Sequence, residues 1–443
     1  AEVLRRSTGT GPETPGRWCR WRMCDRSGVR GVLPGRWSQL NRAFGFARRG
    51  PRGEVLKFVR MDKKPIHDRE TRAAAPRAGA PSAISETGWL PDCVYTGEKF
   101  EWGLSFFADA LGRITRFSRA PADLAVARRL AGQAALPGIV NAHSHAFHRV
   151  VRGRAERRGR AESDSLSSWR ETLDRAAARL SEQDVFDVAR MVFMEMLLSG
   201  ITCVGEFHTL HHRADGSPWE EPNLLAQEVI RAARDVGIRI GLLNVAWARG
   251  DFRGAAGPAP VRSDTGATDR FLRDVEALRE FTTGNYPADE TWMGVAAHSI
   301  AAVPFDQFKA LAAYAHGQRL RLHVHVSTHV GQNEACATEY GRTPVALLAE
   351  HGFVDKRFTA VDANHLTDEE VRLLGSARAT VCVCPRTEHN LGLGTAPVEK
   401  LLAAGAGLAL GTDSQGQIDL LKDARFLEYG LRVAKAGRMV IAP

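Results

Sequence analysis

Histidines and carboxylates gather at the ends of apolar runs in this sequence of 443 residues. His143 and His145 end the run that opens at Leu136, LPGIVNAHSH. Glu206 and His208 end a second run, and His298 ends a fourth. His323 and His325 lie in a fifth, Asp362 and His365 close a sixth, and Asp413 closes an eighth. Side chains two apart on a strand share a face, so His143 and His145 can hold one ion together. Imidazoles and a carboxylate around a divalent ion describe a catalytic metal site with a position open for water. Such an ion lowers the pKa of bound water from about 15.7 to about 7, and a neighbouring carboxylate then moves the proton. The competing reading is a structural network of hydrogen-bonded core histidines.

These groups need elements that bring them to one place. The runs ITCVGEFH, IRIGLLNVAW, MGVAAH, LRLHVHV, FTAVDAN, ATVCVC and GLALGTD read as buried strands after the first. Helical spacing separates them. Val185, Val188, Ala189, Val192, Phe193, Met196 and Leu197 form one apolar stripe, with Ser181 as its N-cap and Gly200 as its stop. Thr367 and Glu370 form a capping-box pair. Apolar strands alternating with helices imply a parallel sheet. Eight over residues 136–413 predict an α/β fold of the (β/α)8 TIM-barrel type, with a doubly wound sheet as the alternative. In a barrel all the listed strand ends lie on one face, where active sites are built. Upstream, short strands at Cys93–Tyr95, Glu101–Phe107 and Ile114–Phe117, with Gly112 in a turn, read as a small meander.

The net charge of +9 is unevenly placed. Residues 1–60 hold 14 Lys and Arg against 4 Asp and Glu, and the other 383 residues balance at −1. The chain is therefore read as a basic, disordered extension (1–60) and a linker (61–89), followed by the folded part. A targeting or nucleic-acid arm is the alternative reading of the extension. The expected partner is a small-molecule substrate, with no nucleic acid and no membrane, and a homodimer is an allowed assembly. No run approaches the roughly 18 apolar residues of a membrane span, and no secretory signal opens the chain. Seven scattered cysteines do not make a disulfide framework, and Cys382 and Cys384 read as strand core. A cytoplasmic location is the expectation.

The motifs LPGIVNAHSHAFHR, HVHV and LALGTDS resemble the amidohydrolase superfamily. SSWRETL, VGEFHTLHH, AHSIAAV, GRTPVALLAEHG, RTEHNLGLG and DARFLEYGLR resemble its formimidoylglutamate deiminase branch, over roughly residues 90–432. The resemblance implies a partial β-sandwich (90–130) before the barrel (131–443). It implies one Zn2+, or Fe2+, on His143, His145, His325 and Asp413. Asp413 would also move the proton, and His323 would sit deeper as a supporting histidine. MGVAAHS has no lysine for a two-metal bridge, so one metal is expected. The implied reaction is hydrolysis of a formimino C–N bond with release of ammonia.

Several positions depart from the branch. Thr328 stands where it has Glu, Asp362 where it has His, and Ala301 where it has a carboxylate-gripping Arg. His148 replaces Gln, Thr209 replaces Tyr, and Gly392-Leu393-Gly394 replaces Gly-Asp-Gly. Arg170 is retained. Asp362 is thus the substitute catalytic residue, and Arg170 and His148 are the candidate substrate-binding residues. A changed substrate, or a metal-binding protein without turnover, are the alternatives. The branch also continues past the eighth strand with a closing helix and further strands. Leu420–Val433 reads as the excursion before that helix, so part of the barrel wall is expected to lie bare.

Overall fold

The computed structural model describes residues 86–155, 166–252 and 259–441. The basic extension and all of the linker up to residue 85 lie outside the described residues. The first strands, β1 (Thr87–Tyr95), β2 (Phe100–Trp102), β3 (Ser105–Ala108), β4 (Ile114–Ser118) and β5 (Arg128–Ala135), form a single five-stranded sheet. β1 pairs antiparallel with β2 and β3, β3 pairs antiparallel with β4, and β5 joins β1 in parallel. Gly112 turns the β3–β4 hairpin at a φ of +77°. The sheet runs past the expected 90–130 at both ends. β5 left no signal because RRLAGQAA is exposed along most of its length and carries no apolar alternation.

The remaining strands are β6 (Ile139–Ser144), β7 (Ile201–His208), β8 (Arg239–Ala246), β9 (Thr291–Ser299), β10 (Leu322–Val326), β11 (Phe358–Asp362), β12 (Thr380–Val383) and β13 (Gly407–Leu410). Each pairs in parallel with its neighbour in chain order. A bridge between Ser144 and Asp413 joins the two ends of the sheet. There the Asp413 amide donates to His143 O at 3.1 Å, and the His145 amide donates to Asp413 O at 3.2 Å. Chain-order neighbours with a closed seam make a (β/α)8 barrel, not a doubly wound sheet, whose strand order reverses. Gly411 permits the seam: a Cβ there would lie 2.8 Å from His143 Cβ and 2.9 Å from Cys384 Sγ.

Val204, Ile240, Leu242, Val295, Val324 and Val381 are fully buried in the wall. Helix Glu182–Leu198 buries Val185, Ala189, Val192, Phe193 and Met196, and Ser181 caps it in a box with Asp184. The Thr367–Glu370 box is also present. The helices Leu166–Ala177 and Val330–Tyr340 were not legible from periodicity. The second buries only Gln332 and Cys336 and has no apolar stripe, while the first carries a short one, Leu166, Trp169, Leu173 and Ala177, broken up by polar residues on either side. Leu136 and Val140, beside β6 and on it, stay exposed. Among the described residues no helix is long and apolar enough to cross a membrane.

Candidate metal centre and active site

Four side chains from three strand ends meet at the carboxyl mouth of the barrel. One nitrogen or oxygen from each of His143, His145, His325 and Asp413 lies within 4.8 Å of the others. His143 Nε2 and His145 Nε2 are 3.1 Å apart. Asp413 Oδ1 lies 3.6 Å from the first and 3.4 Å from the second. Ligands about 2.0–2.1 Å from a tetrahedral ion are themselves roughly 3.3 Å apart, so this spacing fits one metal. Burial lowers the His143 pKa and drives that of His145 lower still, which keeps both imidazoles neutral, as metal binding requires. Burial pushes the Asp413 carboxyl up, but His143, His325 and His148 outweigh it and hold it at about 2. Asp413 reaches this position through a left-handed backbone, with φ of +44°.

His325 is held from behind. Its Nδ1 lies 2.9 Å from Asp362 Oδ2, leaving Nε2 for the metal. Burial opposes a charge on His325, yet the adjacent Asp362 carboxylate and its hydrogen bond raise the pKa overall. Thr328 Oγ1 donates to the same Asp362 oxygen at 2.7 Å. The Thr328 amide donates to Gln332 Oε1 at 2.9 Å. His323, one layer deeper on β10, is buried and absent from the four-ligand group.

A cavity of about 1280 Å³ opens above the ligands. Its wall includes Trp169, Arg170, Trp247, His298, His329 and Ala301. Arg170 makes no ion pair within 4 Å among the described residues. His148 stacks on His145, ring centroids 4.3 Å apart, and burial takes its pKa down to about 3. His298 stacks on Trp247 at 3.6 Å. The other strand-end histidines go elsewhere. His208 packs edge-on against His211, and His365 Nε2 bonds to Leu393 O at 2.7 Å.

A closed barrel with this donor set at its carboxyl mouth agrees with what sequence comparison finds. The model of the Amidohydrolase family matches residues 134–440. The chain belongs to that family. It is 35% identical over 307 residues to the formimidoylglutamate deiminase of Pseudomonas aeruginosa, covering 69% of this chain and 66% of that protein. It is 28% identical to a 5-methylthioadenosine/S-adenosylhomocysteine deaminase of Desulforamulus reducens, covering 70% and 64%. The match thus spans just under two thirds of the length of these curated relatives. Among solved structures, an amidohydrolase from Brucella melitensis superposes with a TM-score of 0.74 at 32% identity, covering 81% of this chain and 78% of the other.

In this amidohydrolase several of the site positions singled out in the sequence fall around one cavity. Ala301, Thr328 and Asp362 all line it, together with His148 and Arg170. The sequence reading missed Trp247, Ser144 and Gln415, and it recognised Glu206 only as a strand-end residue. Strand alternation carried a signal for Ser144, because a polar residue between two inward histidines must face the opposite wall.

Proposed function

We propose that the chain is a zinc-dependent hydrolase of an amidine C–N bond. In the manner of formimidoylglutamate deiminase, it would convert N-formimino-L-glutamate and water to N-formyl-L-glutamate and ammonia. The convergence of His143, His145, His325 and Asp413 within 4.8 Å at the floor of the cavity carries this reading. Zinc on those residues would supply a Lewis acid and a water made acidic enough to ionise near neutral pH. Fe2+ is the rival metal for the same donors.

The chain's own residues divide the remaining work. Asp413 is ionised at neutral pH and takes the proton of the attacking water at a carboxylate oxygen. It returns that proton to the departing nitrogen, which leaves as ammonia. Asp362 orients His325, so in this reading it positions a ligand and does not itself touch the substrate. Arg170 is a cation on the cavity wall with no ion pair among the described residues, suited to a substrate carboxylate. Cytoplasmic residence and a homodimer belong to the same proposal.

A changed substrate is the second reading. Ala301 offers no charge on the wall, and the Thr328 hydroxyl is committed to Asp362. The test is ammonia release by the full chain, loaded with zinc to one equivalent, from N-formimino-L-glutamate and from uncharged amidines. Turnover of the formimino acid supports the first reading, and turnover of the uncharged compounds alone supports the second. Full occupancy with no ammonia from any of them would overturn both in favour of metal binding without catalysis.

A further inference from the structure

Ser144 lies between His143 and His145, and strand alternation turns it away from the metal position. Its Oγ donates to Glu206 Oε2 at 2.5 Å. The backbone amide of Ala146 donates to the other oxygen, Glu206 Oε1, at 2.6 Å. The Glu206 carboxylate therefore grips the residue on either side of His145. Gln415 Nε2 donates to Ser144 Oγ at 2.8 Å, which carries the chain of bonds to a residue two beyond Asp413. Gln415 is tied in turn, since its carbonyl accepts from Arg149 Nη1 at 2.6 Å and Arg149 pairs with Glu195. Ser144, Glu206 and Gln415 are at most 2% exposed. Asp413 and Gln415 both hold left-handed φ values, +44° and +58°, which surrounding contacts must maintain.

We propose that Glu206 is a positioning residue for the metal centre, holding three of its four ligands at binding distance through Ser144, Ala146 and Gln415. Both of its oxygens are occupied, and it lies outside the group of converging donors, so it is not a metal ligand. The carboxylate closes β7 onto β6, and Ser144 and Gln415 close β6 onto the Asp413 turn. The two halves of the site are thereby registered across the seam of the barrel. Losing the carboxylate frees the histidine strand and the Asp413 turn to move apart, and the metal is then held less tightly.

This inference rests on the metal-binding reading above. The test is the zinc dissociation constant of the full chain, measured by competition with a chromophoric chelator. Glu206→Ala should weaken zinc binding about 10- to 100-fold, the usual effect of removing a group that orients ligands. Ser144→Ala should weaken it too, and the double variant should lose less than the product of the two, because both act through one network. Glu206→Gln, which keeps the Ala146 acceptor, should recover part of the loss. Val229→Ala, in the helix after β7, is the control: it should lower thermal stability and leave zinc affinity unchanged. If folded Glu206→Ala binds zinc like the unaltered chain, or if Val229→Ala weakens binding equally, the proposal is overturned. Should Glu206→Ala not fold, Ser144→Ala and Gln415→Ala decide by the same measurement. An unaltered chain that binds no zinc would instead sink the underlying metal reading.

Discussion

His325 and Asp362 form a largely buried dyad, with Nδ1 2.9 Å from Oδ2, at the position where one metal ligand meets the neighbouring strand. The carboxylate fixes the imidazole tautomer and its plane, so Nε2 faces His143 and His145 with its lone pair available. Thr328 holds the carboxylate in place through the same oxygen. Thr328 and Asp362 therefore act together as one support.

Removing that support should be felt first in metal affinity. Asp362→Ala is expected to weaken zinc binding about 10- to 100-fold. Thr328→Val should weaken it less, because the dyad survives without its third member. Chelator competition on both variants measures this. Equal affinity in Asp362→Ala and the unaltered chain would show that the dyad does not orient the ligand.

The two histidines of β10 should separate cleanly. Zinc at about 100 times its Kd stabilises a folded protein by about 2.7 kcal/mol when only the folded state binds. His325→Ala should abolish most of that increment, which a denaturant titration with and without zinc reads directly. His323→Ala should lower stability of the metal-free chain and leave the zinc increment in place. The opposite pattern would move the ligand assignment to His323.

The barrel and its donors were legible because each strand is an unbroken apolar run ending in a polar residue. Burial on both faces imposes that pattern. Period two along β6 then puts His143 and His145 on one face. The supports of the site left weaker traces. Asp362 looked like a substitute proton carrier, since nothing local shows that His325 on the neighbouring strand takes its carboxylate. Glu206 and Gln415 are linked across 209 positions of sequence through Ser144, and such contacts appear only when the barrel closes. β5 is largely exposed, so no hydrophobic period marks it.

Asp423 gives a pH dependence remote from the metal. It is fully buried on helix Leu420–Lys435, and neither carboxylate oxygen has a hydrogen-bond partner. Burial pushes its pKa up to about 7, with Arg386 pulling it down and Asp419 pushing it up. Below about pH 4 both folded and unfolded chains keep the proton, and ionisation of the group takes nothing from stability. From there to about pH 7 only the unfolded chain releases it, so stability falls as pH rises, and above that the loss is constant. Asp423→Asn should therefore stabilise the metal-free chain at pH 8, by roughly 4 kcal/mol at most, and change little at pH 4. Urea titrations at both pH values measure the difference, and an equal effect at both would rule out ionisation as the cause.

Activity on N-formimino-L-glutamate should be weak in the unaltered chain and partly restorable by three substitutions. Thr328→Glu and Asp362→His return two proton-handling groups, and Ala301→Arg returns a cation to the cavity wall. The dyad makes the order of these changes matter. Asp362→His alone removes the carboxylate that orients His325, so it should lose zinc affinity and gain no rate. Adding Thr328→Glu places a carboxylate back beside β10, so the pair should recover metal binding together. These residues share one cavity and one hydrogen-bond network, and their effects should be strongly non-additive. The triple variant should gain at least about a hundredfold in kcat/KM, comparable to one general-acid contribution. Steady-state ammonia release at full zinc occupancy is the measurement. An unaltered chain that already turns over the formimino acid efficiently would falsify this reasoning, and would mean that the Asp362–His325 arrangement supports the reaction as it stands.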